Sequence, residues 1–255
     1  MVTEKPLILV TNDDSISSKG IKSLCRAVEP FGDIVVIAPD SAQSGMGHAI
    51  TINDPLRLEK SDLIDGVDAY SCSGTPVDCV KLGISEVMQR KPDLIVSGIN
   101  HGANTATNVL YSGTMSAAIE GAMEGVPSIG FSLDSFEAHA DFTVAMQVVG
   151  KVVGEALKNG IPLGTCLNVN IPYKMDALKG IKVCRQANAY WEDRFDKRLD
   201  QFNRTYYWLT GDFKDQQGEA DTDVYWIEKG YATVVPTQFD LTAYAVIEKI
   251  ENWSL

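Results

Sequence analysis

The sequence predicts an α/β protein built on a doubly wound, mainly parallel sheet. Short apolar runs alternate along the chain with amphipathic segments that are long enough for helices, and this alternation is typical of such a sheet. The first four apolar runs lack regular polar alternation, as expected for strands that are covered on both faces. The 255 residues are 45% hydrophobic and 22% charged, so the chain can bury a sizeable core.

Five apolar runs are predicted to be the strands of this sheet. They are short enough for strands and are separated by loop or helix patterns. In chain order they are LILV at 7–10, DIVVIAP at 33–39, DLIVSG at 93–98, PSIGFS at 127–132 and TCLNVNIP at 165–172.

Three amphipathic segments between these runs are predicted helices, over residues 74–88, 112–125 and 141–160. In the first, Thr75 can act as the N-cap, Pro76 takes the first helical position and Asp78 follows three residues after the cap. The second is followed by a glycine and a proline, and the third ends at Gly160. Glycine is common just past the last helical residue, so these ends are well defined.

The composition changes after about residue 185. All four tryptophans lie in this last part of the chain: Trp191, Trp208, Trp226 and Trp253. We predict strands over 205–211 and 231–238 and a terminal helix over 241–253. An aromatic-rich segment of this kind is typical of a second layer, an extended hairpin or an oligomer contact, and ordinary core packing remains open. We therefore divide the chain into a core, 1–185, and a C-terminal arm, 186–255, that is not an independent domain.

Charge and cysteine content narrow the function classes. The formal net charge of −12 argues against a broad surface for nucleic acids or anionic membranes, which would need a basic patch. A small anionic substrate stays possible, because a local site can override the global sign. No apolar run approaches the roughly 18 residues of a membrane span, and the N-terminal apolar stretch is too short for a signal peptide. The odd count of five cysteines at irregular spacing favours reduced thiols in a cytoplasmic protein.

Two adjacent acids, Asp13 and Asp14, follow the first predicted strand. In an open α/β sheet, ligands bind outside the carboxyl ends of the strands, near the point where the strand order reverses. A divalent cation would relieve the repulsion between the two carboxylates, and hard oxygen ligands suit Mg²⁺ or Mn²⁺. The alternative is that one acid caps the next helix and the other is solvated.

Three further loops are expected at the same edge of the sheet. Ser44 lies among small residues in APDSAQSGMGHAIT, and Asn100 lies in the glycine-containing SGINHGAN. Residues 112–114 open a helix, whose free N–H groups can bind an anion. Carboxylates, neutral oxygen ligands and a phosphate site on one edge favour metal-assisted phosphoester chemistry. Taken singly, the glycine-containing loops could also be ordinary turns.

The motifs TNDD, APDSAQSG, GTPVDCVKLGI, PDLIVSGINHGAN and YSGTMSAAIEGAMEGVPSI occur in this order, followed by LNVNIP, YYWLTG, DTD and VVPTQFDLT. This set resembles the SurE family of survival-protein nucleotidases over nearly the whole chain. The resemblance implies a Rossmann-like core and a C-terminal arm exchanged between the subunits of a homodimer or tetramer. It also implies hydrolysis of nucleoside monophosphates with one divalent ion, Mg²⁺ or Mn²⁺, per subunit.

The resemblance implies a set of metal ligands, and the chemistry of the residues suggests the other roles. The family's four metal ligands match Asp13, Asp14, Ser44 and Asn100. Asp13 and Asn100 are the candidate catalytic residues, and Asp13 is preferred for orienting or deprotonating a metal-activated water. The candidate phosphate or substrate contacts are Gly45, His101, Ser112, Gly113 and Thr114. His101 could touch the phosphate or protonate the leaving oxygen, or it could simply make a structural hydrogen bond.

The chain departs from the family pattern at three positions. Ser15 replaces the usual glycine after the acid pair. Ala106 and Asn108 stand where the pattern has a glycine and an acid. None of these changes removes a proposed ligand, but they alter the shape and charge of the pocket wall.

The predicted function is hydrolysis of nucleoside 5'-monophosphates, with 3'-nucleotides, general acid-phosphatase substrates and polyphosphate left open. A receiver-like phosphoacceptor module also has an acid pair after its first strand. It would need a phosphorylatable aspartate where this chain has Asn100. A dinucleotide-binding dehydrogenase would need a G-x-G-x-x-G turn after the first strand, and TNDDSISSKG lacks it. The preferred base, sugar and metal are not determined by these patterns.

Overall fold

Strands and helices alternate over the first two thirds of the chain. The structure, a computed structural model, describes residues 5–173, 177–215 and 218–254. The strands are β1 (Leu7–Thr11), β2 (Asp33–Pro39), β3 (Leu58–Lys60), β4 (Asp68–Cys72), β5 (Leu94–His101), β6 (Ser128–Leu133), β7 (Thr165–Ile171), β8 (Ile181–Val183), β9 (Ala189–Leu199), β10 (Thr205–Asp215) and β11 (Ala232–Gln238). The α-helices are α1 (Lys19–Val28), α2 (Pro76–Leu82), α3 (Gly113–Met123), α4 (Thr143–Asn159), α5 (Asp223–Glu228) and α6 (Tyr244–Glu251).

Nine of these strands form one sheet, in the order β3-β4-β2-β1-β5-β6-β7-β11-β8. Strands β4, β2, β1, β5, β6 and β7 are parallel to their neighbours within this run, whereas β3 and β11 pair antiparallel with β4 and β7. The chain leaves β1 toward β2 and β4 on one side and then crosses to β5 on the other. The strand order therefore reverses between β1 and β5. The predicted doubly wound, mainly parallel sheet is confirmed.

Helices cover both faces of this sheet, and β1 shows why its apolar run has no polar alternation. Ile8 and Val10 are buried in the cluster that includes the inner faces of α1 and α4. Leu9 points the other way, into a cluster with residues of α2 and α3. Both faces of the strand need apolar residues, so every central position of β1 is apolar. The five predicted strands are confirmed as β1, β2, β5, β6 and β7.

The caps explain which helices the sequence predicts. The Thr75 hydroxyl accepts from the Asp78 backbone N–H, and the Asp78 carboxylate accepts from that of Thr75. This capping box confirms the predicted start of α2, although the helix ends at Leu82 and one wider turn follows over Gly83–Val87. Helix α1 was not predicted. Its N-cap, Ser18, lies in the polar stretch SISSKG, which reads as a loop.

Part of the C-terminal segment leaves the main sheet. Strands β9 and β10 pair antiparallel over eleven residues each and form a separate two-stranded hairpin. The predicted strand over 205–211 lies within β10, the one over 231–238 corresponds to β11 and starts one residue before it, and the terminal helix is α6. The extended-hairpin option for this segment is thus the one seen, while β11 returns to the nine-stranded sheet. The division at residue 185 stays a prediction.

Two further sequence expectations concern membrane-spanning helices and the state of the cysteines. Within the described ranges, no helix has the length and apolar character that crossing a membrane requires. All five cysteines are buried free thiols.

Candidate active site

A cavity of about 520 Å³ opens where the strand order reverses, at the carboxyl ends of β1 and β5. This is the position at which doubly wound sheets bind ligands. Seven of the nine predicted site residues line it, namely Asp13, Asp14, Ser44, Gly45, Asn100, His101 and Ser112. The other two, Gly113 and Thr114, lie directly against Asp13 at the start of α3.

Asp13 is a buried carboxylate with one hydrogen-bonding side chain near it. It is 3% exposed, and the Thr114 hydroxyl donates to its Oδ1 atom at 2.5 Å. Burial raises the pKa of Asp13 to about 6, despite the opposing effect of this hydrogen bond. Gly113 makes the close packing possible, because a Cβ atom there would lie 2.7 Å from the Asp13 Cβ. The start of α3 and the acid are therefore fitted to each other.

Asp14 links the end of β1 to the end of β5. Its Oδ2 atom accepts the backbone N–H of His101 at 3.1 Å, and burial raises its pKa above the ordinary value. The His101 ring packs edge-on against Phe142, with 5.3 Å between ring centroids. Its Nδ1 atom is buried and has no hydrogen-bond partner within the described part of the chain. His101 thus contributes to the site through both its backbone and its ring.

A bulge brings Asn100 to the cavity. The pairing of β5 with β6 shifts between Ser97 and Asn100, and bulges commonly re-aim side chains beside active sites. The Asn100 amide nitrogen donates to the Gly102 carbonyl at 2.8 Å. With its nitrogen held in this way, the side chain has its carbonyl oxygen left to serve as a ligand atom.

The loop after β2 carries Ser44 and Gly45 and is tied to the acid pair through the backbone. The N–H of Gln43 donates to the Asp13 carbonyl at 2.7 Å, and the N–H of Gly47 donates to the Tyr111 carbonyl at 3.2 Å. These two bonds fasten the loop between the end of β1 and the segment before α3. Ser44 therefore borders the same cavity as the carboxylates, although 30 residues separate it from Asp14.

The start of α3 offers an anion site beside Asp13. Ser112 is the N-cap, and its hydroxyl accepts the Met115 N–H at 3.0 Å. The N–H groups of Gly113 and Thr114 belong to the first turn, where an α-helix has no acceptor for them. Free N–H groups at a helix start favour a bound phosphate.

Seven lining residues were not among the predicted site residues: Gly102, Ala103, Asn104, Asn108, Tyr111, Phe136 and Trp191. Asn104 belongs to a buried amide network. Its N–H donates to Asn170 Oδ1 at 2.7 Å, and its carbonyl accepts from the Asn168 side chain at 2.8 Å. The two polar residues inside the buried strand LNVNIP were the available signal. Asn108 was expected at the pocket wall as a departure from the family pattern, and the other five lie on loops or on β9 and carry no such signal.

Two of the three departures from the family pattern sit in backbone conformations that favour glycine. Ser15 has φ +86° and Ala106 has φ +50°, and residues other than glycine adopt such values at a cost. The glycine of the family pattern therefore has a conformational reason at both positions. The third departure, Asn108, accepts the indole N–H of Trp191 at 2.9 Å.

The donor set at the cavity fits a hard divalent cation. No three His, Cys, Asp or Glu side chains cluster as a metal group in the described ranges. The cavity instead combines two adjacent carboxylates with neutral oxygens. Magnesium is commonly held by one or two carboxylates and completes its coordination with water and substrate phosphate. Among the described residues, no lysine or arginine lines the cavity to offset the acid pair.

Fold and site together define a doubly wound α/β protein with an oxygen-rich cavity at its topological switch point. The family model described as "Survival protein SurE" matches residues 8–193. The chain belongs to the SurE family, which confirms the resemblance found in its motifs.

Relatives match over the full length of the chain. A protein named 5'-nucleotidase SurE from Flavobacterium johnsoniae is 55% identical over 257 residues, which are 100% of this chain and 99% of the relative. A protein of the same name from Christiangramia forsetii is 54% identical over 258 residues, with the same coverage. The crystal structure of the SurE protein from Aquifex aeolicus superposes with a TM-score of 0.85 at 40% identity, covering 96% of this chain and 98% of that one.

Proposed function

We propose that the protein hydrolyses nucleoside 5'-monophosphates to nucleoside and phosphate with one bound Mg²⁺ or Mn²⁺ per subunit. The observation that carries this proposal is the acid pair at the switch point, the buried Asp13 with the partly buried Asp14, beside a helix start with free N–H groups. A bound cation would offset the negative charge of the two carboxylates, and a bound phosphate would accept hydrogen bonds from the free N–H groups. The full-length relatives named 5'-nucleotidase SurE supply the substrate class.

The proposed metal ligands are Asp13, Asp14, Ser44 and Asn100. Their oxygens suit a hard cation, and the bond from the Asn100 amide nitrogen to Gly102 leaves the amide oxygen for this role. When bound, the ion supplies Lewis acidity for the phosphoryl oxygens and for the attacking water.

The protein's own groups divide the remaining tasks. Asp13 orients the attacking water or accepts its proton, and the Thr114 hydroxyl holds the carboxylate in place. Asn100 acts beside it as the second catalytic residue. The N–H groups of Gly113 and Thr114 hold phosphate oxygens, with Gly45 and Ser112 at the edge of the same site.

His101 is the candidate for protonating the leaving oxygen. Its backbone N–H keeps Asp14 in position. Its Nδ1 atom is buried, so Nε2 is the ring atom proposed to meet the substrate.

We also propose that the arm, residues 186–255, joins subunits into a homodimer or tetramer in the cytoplasm. Its exposed large side chains support this, including Phe195 at 67% and Tyr244 at 67% exposure. Five free, buried thiols favour a reducing compartment. Light scattering tests the assembly, and a monomer of 27.8 kDa at micromolar concentration would contradict it.

A phosphate-release assay tests the activity. Nucleoside 5'- and 3'-monophosphates, p-nitrophenyl phosphate and polyphosphate are compared with Mg²⁺, with Mn²⁺ and after chelation. We expect the highest kcat/KM for a 5'-monophosphate, loss of turnover with chelator and its return on adding metal. Equal kcat/KM for all substrates would instead indicate a broad acid phosphatase. Full activity in chelator would contradict the metal site.

A further inference from the structure

The cavity has two chemically different sides. Its floor is polar and carries the acid pair and Asn100. Its rim carries three aromatic side chains, Tyr111, Phe136 and Trp191. They are 64%, 83% and 47% exposed, respectively, so apolar rings border a site whose proposed reacting group is a phosphate.

Trp191 is the aromatic residue that the structure holds most firmly. Its indole N–H donates to Asn108 Oδ1 at 2.9 Å. Its ring meets Phe213 of the paired strand edge-on, with 5.6 Å between centroids. Because two contacts from different directions set the ring's orientation, little further ordering is needed when a planar ligand stacks on it.

Asn108 is suited to holding the Trp191 ring in its orientation. The family pattern has an acid in this region, and the neutral amide accepts the indole N–H without adding a further negative charge to the wall of a site that already holds two carboxylates. The amide belongs to the short turn at Ala106–Leu110, and the Thr107 hydroxyl donates to the Ala189 carbonyl at 2.9 Å. The turn and the start of β9 are thus joined at Ala189 and at Trp191.

A second cavity of about 390 Å³ meets the first one at Trp191. The two cavities share Tyr111 and Trp191, and the second continues along the hairpin past Tyr190 and Leu209. A ligand with its phosphate at the polar floor therefore has room to extend along the aromatic wall. The wall suits a planar, largely apolar group attached to the phosphate through a spacer.

We propose that Trp191 is the stacking surface for the nucleobase of the substrate, held in position by Asn108. This inference rests on the proposed function and adds the residue that selects nucleoside phosphates over other phosphomonoesters. Stacking of a base on an aromatic side chain changes binding by about 10- to 100-fold, and it tolerates different bases because each has a π-face.

The test compares Trp191→Ala with Trp191→Phe and with the matched control Trp208→Ala. Trp208 lies on β10, is 58% exposed and lines neither cavity. Adenosine 5'-monophosphate is the substrate with a base, and glycerol 3-phosphate is the substrate without one. We expect Trp191→Ala to lower kcat/KM for the nucleotide by about 10- to 100-fold, mainly through KM, and to leave glycerol 3-phosphate unchanged. Trp191→Phe should keep most of the nucleotide activity. The Trp208→Ala control, whose assembly is compared with that of the wild type by light scattering because Trp208 lies in the arm, should match the wild type.

Two measurements guard against a loss of structure. Asn108→Ala keeps the indole but frees it, so we expect a few-fold loss with the nucleotide alone. Calorimetric titration with adenosine needs no turnover, and its affinity should fall about 10- to 100-fold in Trp191→Ala.

Equal losses of Trp191→Ala on both substrates, or an equal loss in Trp208→Ala, would overturn the proposal, because the hairpin would then have only a structural role. A wild-type protein that hydrolyses neither substrate would overturn the proposed function. In that case unchanged adenosine affinity in Trp191→Ala would still overturn the stacking proposal, and weakened affinity would still support it.

Discussion

The two ends of helix α3 handle buried carboxylates in opposite ways. Glu120, toward the end of the helix, is 2% exposed and is bound by His48 Nε2 at 2.8 Å and by the Lys81 ammonium. Asp13, at the start of the helix, is 3% exposed. It has the adjacent Asp14 beside it, and its side chain receives the Thr114 hydroxyl.

The pKa values follow these surroundings. Burial alone would raise the pKa of Glu120, but the hydrogen bonds from His48 and Lys81 outweigh it and lower the pKa. At Asp13, burial dominates and raises the pKa to about 6. A buried carboxylate that the protein pairs with its own cations has a structural role. A buried carboxylate that lines a cavity and has no such partner marks a candidate functional site, where a bound cation can balance its charge.

The largest effect is expected from Asp13→Asn, which removes the buried carboxylate at the start of the helix. We expect kcat to fall by more than about 100-fold, since even residues that only support a metal ligand cost up to that factor. The metal-free variant should be at least as stable as the wild type, because the repulsion from Asp14 is removed. A phosphate-release assay measures kcat, and a thermal-shift assay without and with Mn²⁺ measures the stability.

Metal-linked stability separates this expectation from unfolding. A metal at about 100 times its Kd adds about 2.7 kcal/mol to the free energy of unfolding of a protein that binds it. The wild type should gain this amount and Asp13→Asn should gain little. Near-normal turnover and an unchanged metal-induced shift in the variant would show that the ligand set is wrong.

The opposite end of the helix is tested by Glu120→Ala. We expect the free energy of unfolding to fall by about 1–3 kcal/mol at neutral pH, since charge-assisted hydrogen bonds are lost. The upper limit is modest because the Lys81 side chain is 45% exposed and can be solvated once its partner is gone. Urea unfolding measures the change, and the metal-induced shift should survive.

The pH dependence of this difference has a definite sign. A carboxylate whose folded pKa is lowered stabilises the protein above its ordinary pKa, and this contribution is lost as the pH falls through the folded value. The gap between the wild type and Glu120→Ala should therefore be full at neutral pH and shrink below the ordinary Glu value of 4.5. A gap that widens on acidification would contradict the pairing with His48 and Lys81.

The smallest expected effect is at Ser15, beside the acid pair. Ser15→Gly should raise the free energy of unfolding by up to about 1 kcal/mol, because φ +86° is strained for serine. The hydrogen bond between the Ser15 and Ser17 hydroxyls is lost, which limits the gain. Chemical denaturation measures it.

Gly160→Ala is the matched control for Ser15→Gly. Gly160 has φ +76°, and no atom lies within 4 Å of a Cβ built there. Its φ of +76° and ψ of +166° are essentially restricted to glycine, so its replacement should cost about 1–3 kcal/mol through backbone conformation alone. A lower stability in Ser15→Gly would show that the loop after β1 is not strained by its serine.

Sequence patterns predict elements whose signal is local. Strands β1, β2, β5, β6 and β7 are found because strands buried on both faces need continuous apolar runs. Helix α2 is found because Thr75, Pro76 and Asp78 form a cap within four residues. Helix α1 was missed because its cap, Ser18, lies in a polar stretch, and β9 was missed because its exposed face carries charges.

The functional and buried charged residues can also be separated into those that have a local sequence signal and those that have none. The acid pair is adjacent in the chain, and the rule that parallel strands end at one edge brings Asn100 and Ser44 beside it, so these candidates come from the sequence. The partners of Glu120 could not be predicted from the sequence. His48 lies 72 residues away along the chain, and no local pattern relates the two.

The sequence by itself determined the five central strands β1, β2, β5, β6 and β7, the family and the oxygen-rich candidate site, because each depends on short motifs or on a general rule of parallel sheets. Only the tertiary structure decided that Trp191 borders the cavity with Asn108, 83 residues distant in the chain, as its hydrogen-bond partner. It likewise decided that Glu120 is paired with Lys81 and His48, whereas no lysine or arginine among the described residues lines the cavity beside Asp13. Both depend on contacts across several elements, and such contacts are set by how the helices and the hairpin pack rather than by any spacing along the chain.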